Sequence, residues 1–81
     1  MKAKKALANA LKARRKELNM TAEDVVSALA ARGIAIKEVT LYGYENAVSA
    51  PNVQTFLSLC AIYQIDDIMQ YFGYADDLNE E

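Results

Sequence analysis

The stretch from Thr40 to Pro51, Thr-Leu-Tyr-Gly-Tyr-Glu-Asn-Ala-Val-Ser-Ala-Pro, constrains the fold more than any other part of this chain. It reads as the end of a short helix, a polar turn, and a new helix beginning near Pro51, where proline's fixed φ and missing N–H are both tolerated. Upstream, Met20-Thr-Ala-Glu-Asp-Val-Val26 reads as the start of another short helix. The Thr21 hydroxyl can cap a free amide there, and Glu23 and Asp24 suit the positive end of the helix dipole. The middle of the chain is therefore two short helices in close succession, a loop, and a third helix.

Extended outward, the same reading gives five helices. Residues 3–18 place Ala3, Leu7, Ala10, Leu11 and Leu18 on one stripe at three- and four-residue spacings, and Asn19 can close that helix in a left-handed conformation. A second helix over 21–32 turns Val25, Val26 and Leu29 inward and stops at Gly33, followed by an extended apolar link through Ile34, Ala35 and Ile36. A third, over 37–45, has Leu41 and Tyr44 inward, with Lys37, Glu38 and Tyr42 outward. A fourth, over 52–63, is capped by Asn52 and is expected to bury Val53, Phe56, Leu57, Cys60 and Ala61. Asp66 is expected to cap a last helix over 66–72 that ends at Gly73, leaving an acidic, frayed tail over 75–81.

Composition agrees with an all-α class. Three Gly and one Pro in 81 residues leave little room for turns, and no β-branched alternating run suggests a sheet. A single domain over 1–74, 53% hydrophobic, is near the lower size limit for a self-sufficient core. One cysteine, Cys60, rules out an intrachain disulfide and points to a reducing, cytoplasmic setting; on an apolar helical face it reads as a small core residue. With no histidine, zinc-finger sites and a histidine general base are excluded. No nucleophile–base constellation can be assembled, so no enzyme, cofactor or metal is expected. The Lys-rich start is not a secretory signal, because Asn9, Lys12, Arg14, Arg15 and Lys16 interrupt any apolar core, and no run approaches a membrane span.

Charge is unevenly distributed. Seven of the nine basic residues lie in residues 1–16, which hold no acid; the rest of the chain sets Arg32 and Lys37 against eleven carboxylates, a balance of −9. The basic first helix reads either as a solvated face or as a phosphate clamp through Lys4, Lys5, Lys12 or Arg14.

Between about residues 7 and 72 the chain resembles the Cro/repressor-type helix-turn-helix family (XRE-like, lambda-repressor-like). It is most similar to phage-like repressors of Gram-positive bacteria. Arg14-Arg15, Leu18-Asn-Met-Thr21, Glu23, Val25, the Thr40-Leu-Tyr-Gly-Tyr-Glu-Asn46 segment, Pro51 and the Phe56–Tyr63 helix carry the likeness. The resemblance implies a compact five-helix DNA-binding domain whose third helix enters the major groove. By position, Lys37, Glu38, Val39 and Tyr42 would face base edges or nearby phosphates. Lys donates to guanine, Glu accepts from cytosine, and Val packs on a thymine methyl. Thr40, Thr21, Asn46 and the amide ends of the second and fourth helices would hold phosphates, with Lys4 and Lys5 clamping from the first. The family's ion pair would here join Arg15 to Glu45. Ile68, Met69, Tyr71, Phe72 and Tyr74 are too apolar for one short helix to hide; some cap the core, and the rest would form a homodimer contact on a palindromic operator.

Three features depart from the family pattern. Ala22 replaces a phosphate-binding Gln, the loop Ala47-Val-Ser-Ala50 has no base, and the link between Leu29 and Ile36 is long, so the second helix should run on. The resulting expectation is a repressor of transcription bound to double-stranded DNA. The alternative is a protein-interaction module that uses its acidic surface or its aromatic C-terminal helix.

Overall fold

A computed structural model describes residues 2–73, with side chains from residue 6 onward. Five helices run through them: α1 (Lys2–Glu17), α2 (Ala22–Ala31), α3 (Glu38–Glu45), α4 (Val53–Ile62) and α5 (Ile68–Tyr71). No strand occurs among the described residues. The expected tail over 75–81, and Tyr74, lie outside them, as do the side chains of Lys4 and Lys5.

Three of the helices begin where the sequence supplies an acceptor, whereas Lys37, the N-cap of α3, makes no side-chain hydrogen bond. Thr21 and Asp24 form a reciprocal capping box on α2: the Asp24 amide donates to Thr21 Oγ1 at 3.0 Å, and the Thr21 amide to Asp24 Oδ2 at 2.9 Å. Asn52 Oδ1 accepts from the Thr55 amide at 2.8 Å and starts α4. The last helix departs from expectation. Asp67, not Asp66, caps it through Gln70, and the helix is a single turn. The chain leaves α4 so as to drive Ile65 into the core, where it is buried, and Asp66 is still in that connecting segment.

The helix ends share one device. Asn19, Gly33, Ala47, Gln64 and Gly73 all have positive φ, and each is the second residue past the last helical one of α1 to α5 in turn. After α1, α2, α3 and α4 the amide one residue further reaches back to a carbonyl inside the helix: Met20 to Arg15 (3.1 Å), Ile34 to Leu29 (2.9 Å), Val48 to Gly43 (2.9 Å) and Ile65 to Cys60 (2.8 Å). This six-to-one closure satisfies terminal carbonyls and turns the chain sharply. Asn19 and Gly33 are recognisable as stops from their residue type, whereas Ala47 (φ 60) carries a Cβ in a region that disfavours it. Ala47→Gly should therefore raise stability by about 1 kcal/mol, or on the order of 4 °C in the thermal midpoint of a domain this small. Thermal unfolding followed by circular dichroism checks this, and a lowered midpoint would mean that the Ala47 methyl contributes more by packing than its conformation costs.

The core joins all five helices. Leu11, Val25, Leu29, Leu41, Leu59 and Tyr63 are fully buried, each contributing about 1.5–3 kcal/mol of apolar burial for Val- and Leu-sized groups. Around them lie Ala22, Tyr44, Cys60, Ile65 and Phe72, with Leu7, Leu18, Met20, Ile34, Ile36 and Phe56 packed at the margin. On α1 the buried centre is Ala8, Leu11 and Arg15, flanked by half-buried Leu7, Ala10 and Leu18. The link after α2 alternates half-buried Ile34 and Ile36 with exposed Ala35, as an extended segment must, and α2 does run two residues past Leu29.

The buried face of α4 differs from the expected one. Thr55, Leu59, Cys60 and the C-cap Tyr63 are inside with half-buried Phe56, whereas Val53 (75% exposed), Leu57 (50%) and Ala61 lie outside. The helix is apolar on nearly every side, so two stripes of helical period compete. The one that ends in Tyr63 and Leu59 buries more area and wins.

Candidate nucleic-acid interface

α3 has two unlike faces. Leu41, Tyr44 and Glu45 point into the protein, at the three- and four-residue spacing that puts them on one side. Lys37 at the N-cap, Glu38, Val39 and Tyr42 are exposed, Val39 at 71% and Tyr42 at 44%, with Asn46 exposed at the C-cap. Sequence and structure thus agree on which residues this short helix shows to the outside. Thr40 is half-buried, between the two faces.

The inner face is bolted to α1 by a buried ion pair. Arg15 Nε donates to Glu45 Oε2 at 2.7 Å and Nη2 to Oε1 at 3.0 Å, a two-pronged contact between a planar donor fork and a planar acceptor. A third donor, Nη1, reaches the Met20 carbonyl at 3.0 Å, in the turn after α1. Both residues are buried, Glu45 at 3% exposure and Arg15 at 8%. The hydrogen bond that the guanidinium donates to Glu45 outweighs its burial and raises its pKa. The neighbouring Tyr63 hydroxyl is buried without a hydrogen-bond partner among the described residues. Burial, reinforced by the Glu45 charge, pushes its pKa well up, while Arg15 pulls the other way.

Other proposed contacts divide. Arg14 is not a free clamp: its Nε donates to the Tyr63 carbonyl at 2.8 Å, closing the end of α4, and its Nη1 pairs with Glu17 at 2.9 Å. Lys12 and Lys16 are exposed on α1, and Arg32 is exposed beyond α2. Thr21 is exposed with its oxygen engaged as the α2 cap. The first turn of α2 carries Glu23 and Asp24, so its amide end already faces carboxylates; the first turn of α4 carries no acid and is the better-placed of the two for an anion. Ala22 is 3% exposed and belongs to the core.

Of the aromatic C-terminal group, Phe72 belongs to the core at 8% exposure, and Ile68 packs against that core. Both are therefore removed from the expected dimer contact, because a short helix beside Phe56 must spend its inward residues on closing the core. Met69 (44% exposed) and Tyr71 (40%) remain outward. Burial raises the pKa of the Cys60 thiol, in keeping with a packing role.

No protein-family model, curated protein or solved structure matches this chain. Among the described residues no helix is long and apolar enough to cross a membrane, and no cluster of His, Cys, Asp and Glu could hold a metal.

The sequence reading missed an apolar surface around the α3–α4 loop. Val48 is 77% exposed although the residues in its position after α1, α2 and α4, namely Met20, Ile34 and Ile65, all pack against the core. Beside it, Leu7, Ala50, Pro51, Val53 and Phe56 line a cleft of about 210 Å³. The absence of charge from residues 47–51 was the available signal.

Proposed function

We propose that this protein is a sequence-specific DNA-binding regulator with a lambda-repressor-like helix-turn-helix, in which α2 supports α3 and α3 reads the major groove. The observation that carries the reading is the outer face of α3. A cation, a carboxylate, a branched methyl group and a phenol (Lys37, Glu38, Val39, Tyr42) stand together there, on a helix held from behind by the Arg15–Glu45 pair. Such a set can discriminate guanine, cytosine and thymine edges, and a rigid support keeps it in register. Repression would follow from occlusion of the promoter by a dimer on a two-fold operator, with Met69 and Tyr71 as outward groups for the contact, and without catalysis or a cofactor.

Selection of binding sequences from random duplex DNA, followed by a salt titration of the winner, tests the reading. Absence of any binding at low ionic strength would sink it. Lys37→Ala and Tyr42→Ala should each cost about 1 kcal/mol, roughly fivefold, and relax preference at one position. Lys4→Ala with Lys5→Ala should weaken all sequences alike and flatten the salt slope.

The second reading, a protein-interaction module on the same fold, is favoured by the acids at the α2 N-terminus and by the apolar loop where a phosphate grip is expected. A protein partner that stays bound after nuclease treatment distinguishes it.

A further inference from the structure

The cleft between α1 and the N-terminus of α4 is apolar throughout, and Val53 at its rim is three-quarters exposed. An apolar concavity of this kind can accept an apolar side chain. Two observations bear on what covers it. Phe56, which lines the cleft, meets Phe72 with ring centroids 5.4 Å apart, so the chain leaves α5 beside the cleft wall. Leu78 lies five residues beyond Gly73, a reach of up to about 17 Å when extended.

Charge points the same way. The backbone of α1 carries Lys4 one turn before Leu7, with Lys2 and Lys5 beside it, and no acid precedes Glu17. The first turn of α4 is also without acids, and its amide end is positive. Residues 74–81 carry the opposite pattern: Asp76 and Asp77 on one side of Leu78, Glu80 and Glu81 on the other, and no base.

We propose that residues 74–81 of this chain dock onto the apolar cleft formed by Leu7, Ala50, Pro51, Val53 and Phe56, with Leu78 as the side chain that fills it. The flanking carboxylates steer the segment toward the basic start of α1. Because opposite charges steer it, the contact is salt-sensitive and strongest at low ionic strength. It does not depend on nucleic-acid binding.

Nuclear magnetic resonance on the full chain, at low salt and without DNA, tests this. Cross-relaxation is expected between the Leu78 methyls and the Phe56 ring and Val53 methyls, unchanged on serial dilution and lost on addition of salt. Leu78→Asp should abolish it and shift the Val53 and Phe56 resonances while the melting temperature confirms an intact fold. Neutralising Asp76, Asp77, Glu80 and Glu81 to amides should weaken it. Unperturbed Val53 and Phe56 signals in Leu78→Asp, with coil-like Leu78 shifts in the parent, would overturn the proposal. So would cross-relaxation found only between differently labelled copies, which would assign the cleft to a second molecule.

Discussion

Glu45→Ala is expected to lower the stability of this protein by about 3–5 kcal/mol, because it leaves the Arg15 guanidinium buried with only the Met20 carbonyl for company. Small domains have about 5–15 kcal/mol in all, so the variant should melt on the order of 20 °C below the parent and be partly unfolded in mild denaturant. Arg15→Ala should act similarly, since it strands a carboxylate that is 3% exposed. Replacing both at once, Arg15→Met with Glu45→Leu, removes the two desolvation penalties together and should return stability to within about 1 kcal/mol of the parent. A double-mutant cycle by urea titration measures this. A double variant no more stable than either single one would show that the pair is worth its own hydrogen bonds and not merely mutual compensation, whereas additive losses would show that the two residues are not coupled.

The second large effect depends on pH. An unfolded tyrosine ionises near its ordinary value of about 10, whereas burial holds the Tyr63 hydroxyl protonated to well above that. Below pH 10 both states carry the proton, and the contribution to stability is fully present. Above it the unfolded state releases a proton that the folded state keeps, so stability falls by about 1.4 kcal/mol per pH unit. At pH 11.5 the loss attributable to Tyr63 should be about 2 kcal/mol. Cys60, raised in the same direction, adds to the decline from somewhat lower pH. Tyr63→Phe isolates the effect. At pH 7 it should be neutral or stabilising by up to about 1 kcal/mol, since it deletes a buried hydroxyl without a hydrogen-bond partner among the described residues. Above pH 10 it should melt well above the parent. Parallel alkaline unfolding curves for the two proteins would contradict this assignment.

Much of this fold is legible wherever a residue type has only one cheap use. Thr21 with Asp24, Asn52 after Pro51, and Gly33 and Gly73 at helix ends mark boundaries through their own side chains or the lack of one. The Arg15–Glu45 pair was legible only through family resemblance; nothing in the spacing of the two residues requires it. The failures have a common cause, which is a local signal that permits two answers. Val53, Leu57 and Ala61 form as regular a stripe as Leu59, Cys60 and Tyr63, and only packing against α2 and the end of α1 decides between them. Asp66 and Asp67 are equivalent caps until Ile65 is drawn inward. Ala47 and Gln64 give no sign of a left-handed turn, because that turn is made by main-chain hydrogen bonds. On α3 the periodicity located the exposed residues, but a sequence cannot tell a reading face from a solvated one.

The helix stops made by the main chain have a consequence for α3. It is preceded by a turn closed on the Leu29 carbonyl and followed by one closed on the Gly43 carbonyl, so its length does not rest on its outward side chains. Leu41, Tyr44 and Glu45 hold it in place from within. Glu38, Val39 and Tyr42 are thus an exchangeable cassette, where substitutions typically shift stability by no more than about 0.5 kcal/mol. A lineage built on this plan can replace the exposed face of α3 in three changes while the scaffold that presents it stays as it was.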